Sequence, residues 1–236
     1  MAVRGTQCAE WGPGFTTAAV GFFTELEAHN TREHWQAVRA VYDDLLRPTF
    51  DALLAALGGS WRVYRPHNDT RFARVPYKTF LGAVTEDRDG IGAFVQVGSH
   101  GLLVGTGIPQ PARDQLSRLR AAVADPRSGP AFVEATALVA ASGAQVHGGQ
   151  MRPLLRVPGG WPADHPRAGW LRWKGIEVSH RGGAPEWLDR AEAPHRIQDL
   201  IRSGAPLHRW LATHVGASAL TPEQRFSRAR HAVRDG

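Results

Sequence analysis

Between Asn68 and Thr79 the chain reads Asn-Asp-Thr-Arg-Phe-Ala-Arg-Val-Pro-Tyr-Lys-Thr, and nowhere else do cations, aromatics and turn residues crowd so closely. Arg71, Arg74 and Lys78 alternate with Phe72 and Tyr77, and Asp69 stands two residues before the first cation. Arg71 offers a planar fork of donors to a carboxylate or phosphate, and Lys78 a compact point charge. Phe72 and Tyr77 can wall such a site or stack on a ring. This is the chemistry of anion recognition. The competing use of the same residues is a structural knot, in which Asp69 pairs with Arg71 and Tyr77 packs in the core. Nearby sequence offers only Asp69 as an acid for these cations, so the remaining positive charge asks for solvent or a bound anion.

Further along, Arg156 precedes Asp164-His165-Pro166, and Lys174 is the only lysine besides Lys78. Arg71, Lys78, Tyr77, Asp69, Arg156 and Lys174 are therefore the expected ligand-binding residues. His165, with Asp164 beside it, is the candidate for general-base work, provided its loop faces Arg71. Asp164 can otherwise cap the turn that follows it. Gly105-Thr106-Gly107 lacks the third glycine of a dinucleotide fingerprint and the Gly-Lys-Ser/Thr of a P-loop, so it reads as plain hairpin exit. The chain has 11 histidines, but neither His29 and His34 nor His208 and His214 share one helical face, and no His-Glu-x-x-His occurs. No metal or cofactor is expected. No Gly-x-Ser-x-Gly elbow is present, and the lone Cys8 excludes an intramolecular disulfide.

The elements that must position these residues follow from periodicity. Phe15, Ala19, Phe22 and Leu26 mark one helical face, ending at His29-Asn30. Asn30, with Glu33 three residues on, predicts the N-cap of a second helix carrying Trp35, Val38, Tyr42 and Leu45. Pro48 predicts a kink or restart before Leu53, Leu54 and Leu57, and Gly58-Gly59 ends the helix. Trp61 to Arg65 alternates as a strand, and Lys78 to Val84 is a second, short one. Ile91 to Val97 and Leu102 to Gly105 form a hairpin around Gly98-Ser99-His100-Gly101. One helix runs to Asp125-Pro126 and another starts at Pro130 and ends at Gly143. Residues 146 to 166 read mostly as loop with short strand pieces, and Leu171 to Ser179 as a strand. A short helix follows Pro185, and two amphipathic helices carry Ile197, Leu200, Ile201 and then Leu207, Trp210, Leu211. Thr221-Pro222-Glu223-Gln224 opens a last helix carrying Arg225, Arg228, Arg230 and Arg234.

The organising stretch also carries a family resemblance. Asp-x-Arg-Phe followed by Pro-Tyr-Lys-Thr resembles the signature Arg-Asp-x-Arg-Phe-Ser-Lys-Asp-Lys-x-Pro-Tyr-Lys-Thr of an uncharacterised bacterial and fungal family, domain of unknown function 2461. Asn30-Thr31-Arg32-Glu33-His34-Trp35 with Tyr42 is similar to its Asn-x-Arg-Glu-Trp-Phe helix start. Gly101 to Gly107 is similar to its glycine-rich hairpin strand, and Leu155 to Trp161 to its Leu-Lys-Arg-x-Pro-x-Gly segment. The resemblance spans residues 15 to 215 in four elements of matching order. This chain has Asn68 in place of the signature's first Arg, and only Ala73-Arg74-Val75 between Phe72 and Pro76, where the signature has about five residues, so its Lys-Asp-Lys cluster is largely lost. The resemblance implies no activity.

Composition sets the outer bounds. The 236 residues are 42% hydrophobic and 21% charged, ordinary for a globular protein and unlike a disordered one. No internal repeat or compositional linker divides them. The expected fold is a single α+β domain over residues 15–217, a largely antiparallel or mixed sheet with packed helices and an N-terminal helix pair. A flexible arm over residues 1–14 and a basic helix or tail over 218–236 flank it. Met1 to Pro13 holds no apolar run, and no stretch approaches a membrane span, so the expected location is cytoplasmic with no membrane partner. A net charge of +6 permits nucleic acid, but no reading element accompanies it, so such binding is expected to be weak and non-specific. The preferred function is recognition of a small phosphate- or carboxylate-bearing ligand in an Arg/Lys-lined pocket, with a basic nucleic-acid-binding protein and a ligand-free scaffold as the alternatives. Neither a reaction nor an oligomeric state follows from the sequence.

Overall fold

The computed structural model describes residues 17–69, 71, 73–85, 90–149 and 151–221. The N-terminal arm, Cys8, Phe72 and the arginines from Arg225 onward lie outside the described residues. The fold is α+β. Among the described residues the strands β1 (Arg62–Val63), β2 (Phe80–Val84), β3 (Gly92–Gly98), β4 (Gly101–Ile108), β5 (Gln145–His147) and β6 (Ile176–Arg181) form one sheet, in the order β1-β2-β3-β4-β6-β5. β2 runs antiparallel to β3 with Phe80 opposite Gly98 and Val84 opposite Phe94. The turn at Ser99-His100 closes β3 onto β4, as alternation and turn chemistry predict.

Contacts divide the chain into two compact units. The first comprises residues 1–85, 94–104 and 180–202. Its helices are α1 (Thr17–Ala28), α2 (Arg32–Val41), α3 (Arg47–Leu57) and α7 (Ala193–Arg202). Its core contains Phe23, Leu26, Phe50, Leu53, Leu81, Leu188 and Ile197, each at most 1% exposed. Burying one such side chain contributes about 1.5–3 kcal/mol. Between α2 and α3 the helix does not simply kink. Tyr42–Leu46 is a π-helical turn in which the Arg47 N–H donates to the Tyr42 carbonyl, five residues back. Pro48 explains the location. Its ring crowds the carbonyl four residues earlier and it has no N–H to offer, so a wide turn just before it relieves the clash.

Thr31, not Asn30, caps α2. Its backbone is extended and its hydroxyl accepts the His34 N–H at 3.2 Å. The strand expected from Trp61 to Arg65 is confined to Arg62–Val63.

The second unit comprises residues 86–93, 105–179 and 203–236. Its helices are α4 (Arg113–Ala124), α5 (Ser128–Ala141), the short α6 (Ala168–Leu171) and α8 (Ala205–His214). Phe132, Val139, Leu171, Ile176, Leu207 and Leu211 form the centre of its core. α5 starts two residues before Pro130 because Asp125 caps it, its carboxylate accepting the Arg127 and Ser128 N–H groups at 2.8 and 2.9 Å. Those bonds hold the Asp125 carboxyl below its ordinary range. The strand expected from Leu171 begins only at Ile176. Arg120 is the reason. Its guanidinium takes the Leu171 and Trp173 carbonyls, which a strand would have given to a neighbour. Among the described residues no helix is long and apolar enough to cross a membrane.

Candidate functional site

In the first unit the chain leaves β1 and returns to β2 through a narrow neck. His67 and Tyr77 face each other as an antiparallel bridge. The Asn68 N–H donates to Pro76 O and the Lys78 N–H to Pro66 O, both at 2.8 Å. At the tip Asp69 turns the chain, its Oδ1 accepting the Arg71 N–H at 3.1 Å. The same carboxylate takes the Arg71 guanidinium as a fork, Nε to Oδ1 at 2.9 Å and Nη2 to Oδ2 at 2.7 Å. The side-chain bond to Arg71 pulls the Asp69 carboxyl down and pushes the guanidinium up. The pair stands in solvent, the Arg71 side chain being 79% exposed, so its net contribution to stability is small.

Tyr77 is core. Its ring stacks on Trp35 with centroids 4.6 Å apart and planes 17° apart. Asn30 fixes its backbone from both sides, Oδ1 accepting the Tyr77 N–H at 3.0 Å and Nδ2 donating to the Tyr77 carbonyl at 2.9 Å. Lys78 is half-buried, and its Nζ donates to the His67 carbonyl at 2.6 Å. That burial pushes the ammonium below its ordinary value. The pairing of Asp69 with Arg71 and the packing of Tyr77 are the features of a structural knot.

Arg156, Lys174, Asp164 and His165 belong to the second unit. Arg156 and Asp164 are exposed and Lys174 is half-buried. His165 has neither ring nitrogen to spare. Its Nδ1 accepts the Arg167 N–H at 3.0 Å, so Nε2 carries the proton and donates to the Ala124 carbonyl at 3.3 Å. Arg167 gives its guanidinium to the carbonyls of Val123, Ala124 and Asp125, the last turn of α4 and the residue after it. Together they tie the loop to that helix end. Gly105, Thr106 and Gly107 lie inside β4, with Thr106 buried and its hydroxyl donating to Gly92 O at 2.9 Å.

The tip of the β3–β4 hairpin holds a feature with no local sequence signal. A cleft of about 110 Å³ is lined there by Thr79, Gln96, Ser99, His100 and Arg181, together with hairpin backbone. Among the described residues Arg181 has no acidic partner. Two glycines shape the walls. A Cβ on Gly98 would stand 2.5 Å from Thr79 O, and one on Gly101 would stand 1.7 Å from Gly183 O. Gly101 also has φ +82°, which favours glycine. The Leu102 N–H donates to Gly183 O and the Gly182 N–H to Leu102 O, and this holds the start of β4 against the residues after Arg181. The site therefore joins three separate stretches of sequence: Thr79 and the hairpin tip, which proline, glycine and alternation announce, and Arg181, which nothing local announces.

A family model described as "Conserved hypothetical protein (DUF2461)" matches residues 18–210. No curated protein matches, and no solved structure does.

Proposed function

The chain belongs to this family of conserved hypothetical proteins, and from that premise we propose that it binds a small ligand bearing a phosphate or carboxylate. The observation that carries the proposal is the hairpin-tip cleft, whose only cation among its lining residues with a planar fork of donors, Arg181, has no acid beside it among the described residues. Its volume suits a phosphate- or carboxylate-sized group. Thr79, Ser99, Gln96 and His100 line the same cleft and carry further hydrogen-bonding groups. Arg71 favours this role less, because Asp69 already occupies its fork. Lys78, which precedes Thr79 in the chain, keeps two N–H donors beyond the one given to His67 O.

A charge-assisted hydrogen bond contributes about 1.5–3 kcal/mol, so one bidentate contact supports only modest affinity unless the rest of the ligand adds area. The test is calorimetric titration of the native chain, at low salt, with inorganic phosphate, acetate and citrate. Saturable binding is expected, weakened about tenfold or more by Arg181→Gln, a loss of about 1.4 kcal/mol. Binding abolished by Lys78→Gln but untouched by Arg181→Gln would move the site to the loop. No saturable binding of any of the three anions, with the fold intact, would defeat the reading.

A further inference from the structure

The second unit contains a Ser–His–Glu constellation. β5 and β6 are antiparallel, with His147 opposite Glu177 and Gln145 opposite Ser179. Glu177 and Ser179 are two residues apart on one strand and so project from the same face. The His147 ring lies between them, Nδ1 at 3.5 Å from Glu177 Oε2 and Nε2 at 3.1 Å from Ser179 Oγ. Glu177 and Ser179 are 5% and 2% exposed, whereas the His147 side chain is 36% exposed. The Glu177 carboxylate stands on the Nδ1 side of the ring at the outer limit of hydrogen bonding; drawn in to accept the Nδ1 proton, it leaves Nε2 free to accept one, and the group within reach of Nε2 is a hydroxyl. Gly148 and Gly149 follow His147 directly, and a Cβ on Gly149 would come within 3.8 Å of Glu177 Oε2 and 3.1 Å of Pro109 O. The backbone thus passes close over the acid end of the relay.

We propose that Ser179, His147 and Glu177 form a nucleophile–base–positioning relay that hydrolyses small acyl esters. The inference stands apart from the anion cleft and survives its failure. Nε2 takes the Ser179 proton as Oγ bonds to the ester carbonyl carbon. The bond to the alcohol oxygen then breaks, and that oxygen leaves with the proton from Nε2, which gives an acyl-serine and a free alcohol. Water attacks the acyl carbon, Nε2 takes one of its protons, and the bond to Oγ breaks. Oγ recovers the proton and the carboxylic acid departs. Burial of Ser179 limits the acyl group to a small one that enters past the exposed edge of His147.

The test is labelling of the full chain with methanesulfonyl fluoride, a serine-directed reagent of about the size of an acetyl group, followed by peptide mass spectrometry, and turnover of p-nitrophenyl acetate. A single adduct on Ser179 is expected, absent in Ser179→Ala. His147→Gln is expected to slow labelling about a hundredfold or more. Glu177→Gln should lower the maximal labelling rate and leave the half-saturating reagent concentration unchanged, with partial recovery in Glu177→Asp. A merely structural glutamate would move melting and not that split. Should Glu177→Gln fail to fold, the His147→Gln comparison still decides. A native chain unlabelled at Ser179 after hours in millimolar reagent, or labelling indifferent to His147→Gln, overturns the proposal.

Discussion

Asn30 carries more structure than a helix cap would. It satisfies both backbone groups of Tyr77, a residue 47 positions away, and so fixes the loop that begins at Asp69 against the start of α2. Removing it strands a partly buried N–H and a carbonyl at once, each costing about 1–3 kcal/mol when left unmet. Asn30→Ala is therefore expected to lower unfolding free energy by about 2 kcal/mol or more in urea denaturation. Thr31→Ala, which removes the true cap, is expected to cost about 1 kcal/mol. Equal losses would refute the clamp. Asp114 gives a second prediction. Burial pushes its carboxyl up, but the Ser218 hydroxyl, the Ala219 N–H and Arg118 outweigh that and bring it down to about 2. The folded value lies below the unfolded 3.8, so the carboxylate's contribution is complete above about pH 4 and disappears as pH falls through about 2. Asp114→Asn should lower the melting temperature at pH 6, and the gap to native should narrow steadily between pH 4 and pH 2. A gap constant across that window would show that Asp114 acts through shape alone.

The hairpin formed by β3 and β4 offers a sharper experiment at the scale of an element. Gly101 and Gly143 have nearly the same φ, +82° and +84°, but different surroundings. A Cβ on Gly101 would overlap Gly183 O, while one on Gly143 meets nothing within 4 Å. Gly143→Ala is expected to cost about 1 kcal/mol, the strain of an alanine in the left-handed region. Gly101→Ala adds a backbone collision that no rotamer relieves, and is expected to cost at least about 3 kcal/mol or to prevent folding. Paired denaturation curves decide it, and similar losses would mean that β4 shifts freely away from residue 183. The same hairpin shows why some elements are legible in sequence. Alternation and a Gly-Ser-His-Gly turn are local signals. The Arg120 bonds that hold Leu171 to Trp173 out of the sheet join residues about fifty apart, and no local pattern announces them.

Over the whole molecule, the α+β class, the hairpin and most helix limits are readable because periodicity, proline and glycine act within a few residues. The sites are not, for the opposite reason. Arg181 reaches the hairpin cleft from far downstream, and His147 meets Glu177 and Ser179 across a strand register that the Leu171–Ser179 reading placed too early. Of the loop cations, charge and spacing identify Arg71 and Lys78, but it is the folded loop that gives the first to Asp69 and the second to a carbonyl. Neither compact unit is a continuous stretch of chain. The first draws Leu188 and Ile197, at 1% and 0% exposure, from residues far beyond the rest of its core. A chain truncated after Ser179 loses both, at about 1.5–3 kcal/mol each, together with α7. It is expected to show helical circular dichroism without a cooperative thermal transition. A sharp transition would mean that residues 1–179 close a core without Leu188, Ile197, α7 and α8.

The π-helical turn at Tyr42–Leu46 has a consequence for length variation. A wide turn stores one more residue than an α-helical path between the same two anchors, so this helix carries a spare. Tyr42 and Leu46 stay inside at 4% and 5% exposure while Leu45 sits outside at 57%. Leu45 is the residue the core does not use. A relative lacking it would present the same inner face on an uninterrupted helix, and deleting Leu45 here is expected to shift melting by only a few degrees. Deleting Phe50, one turn later, would rotate the packed face of α3 out of its core and should abolish folding.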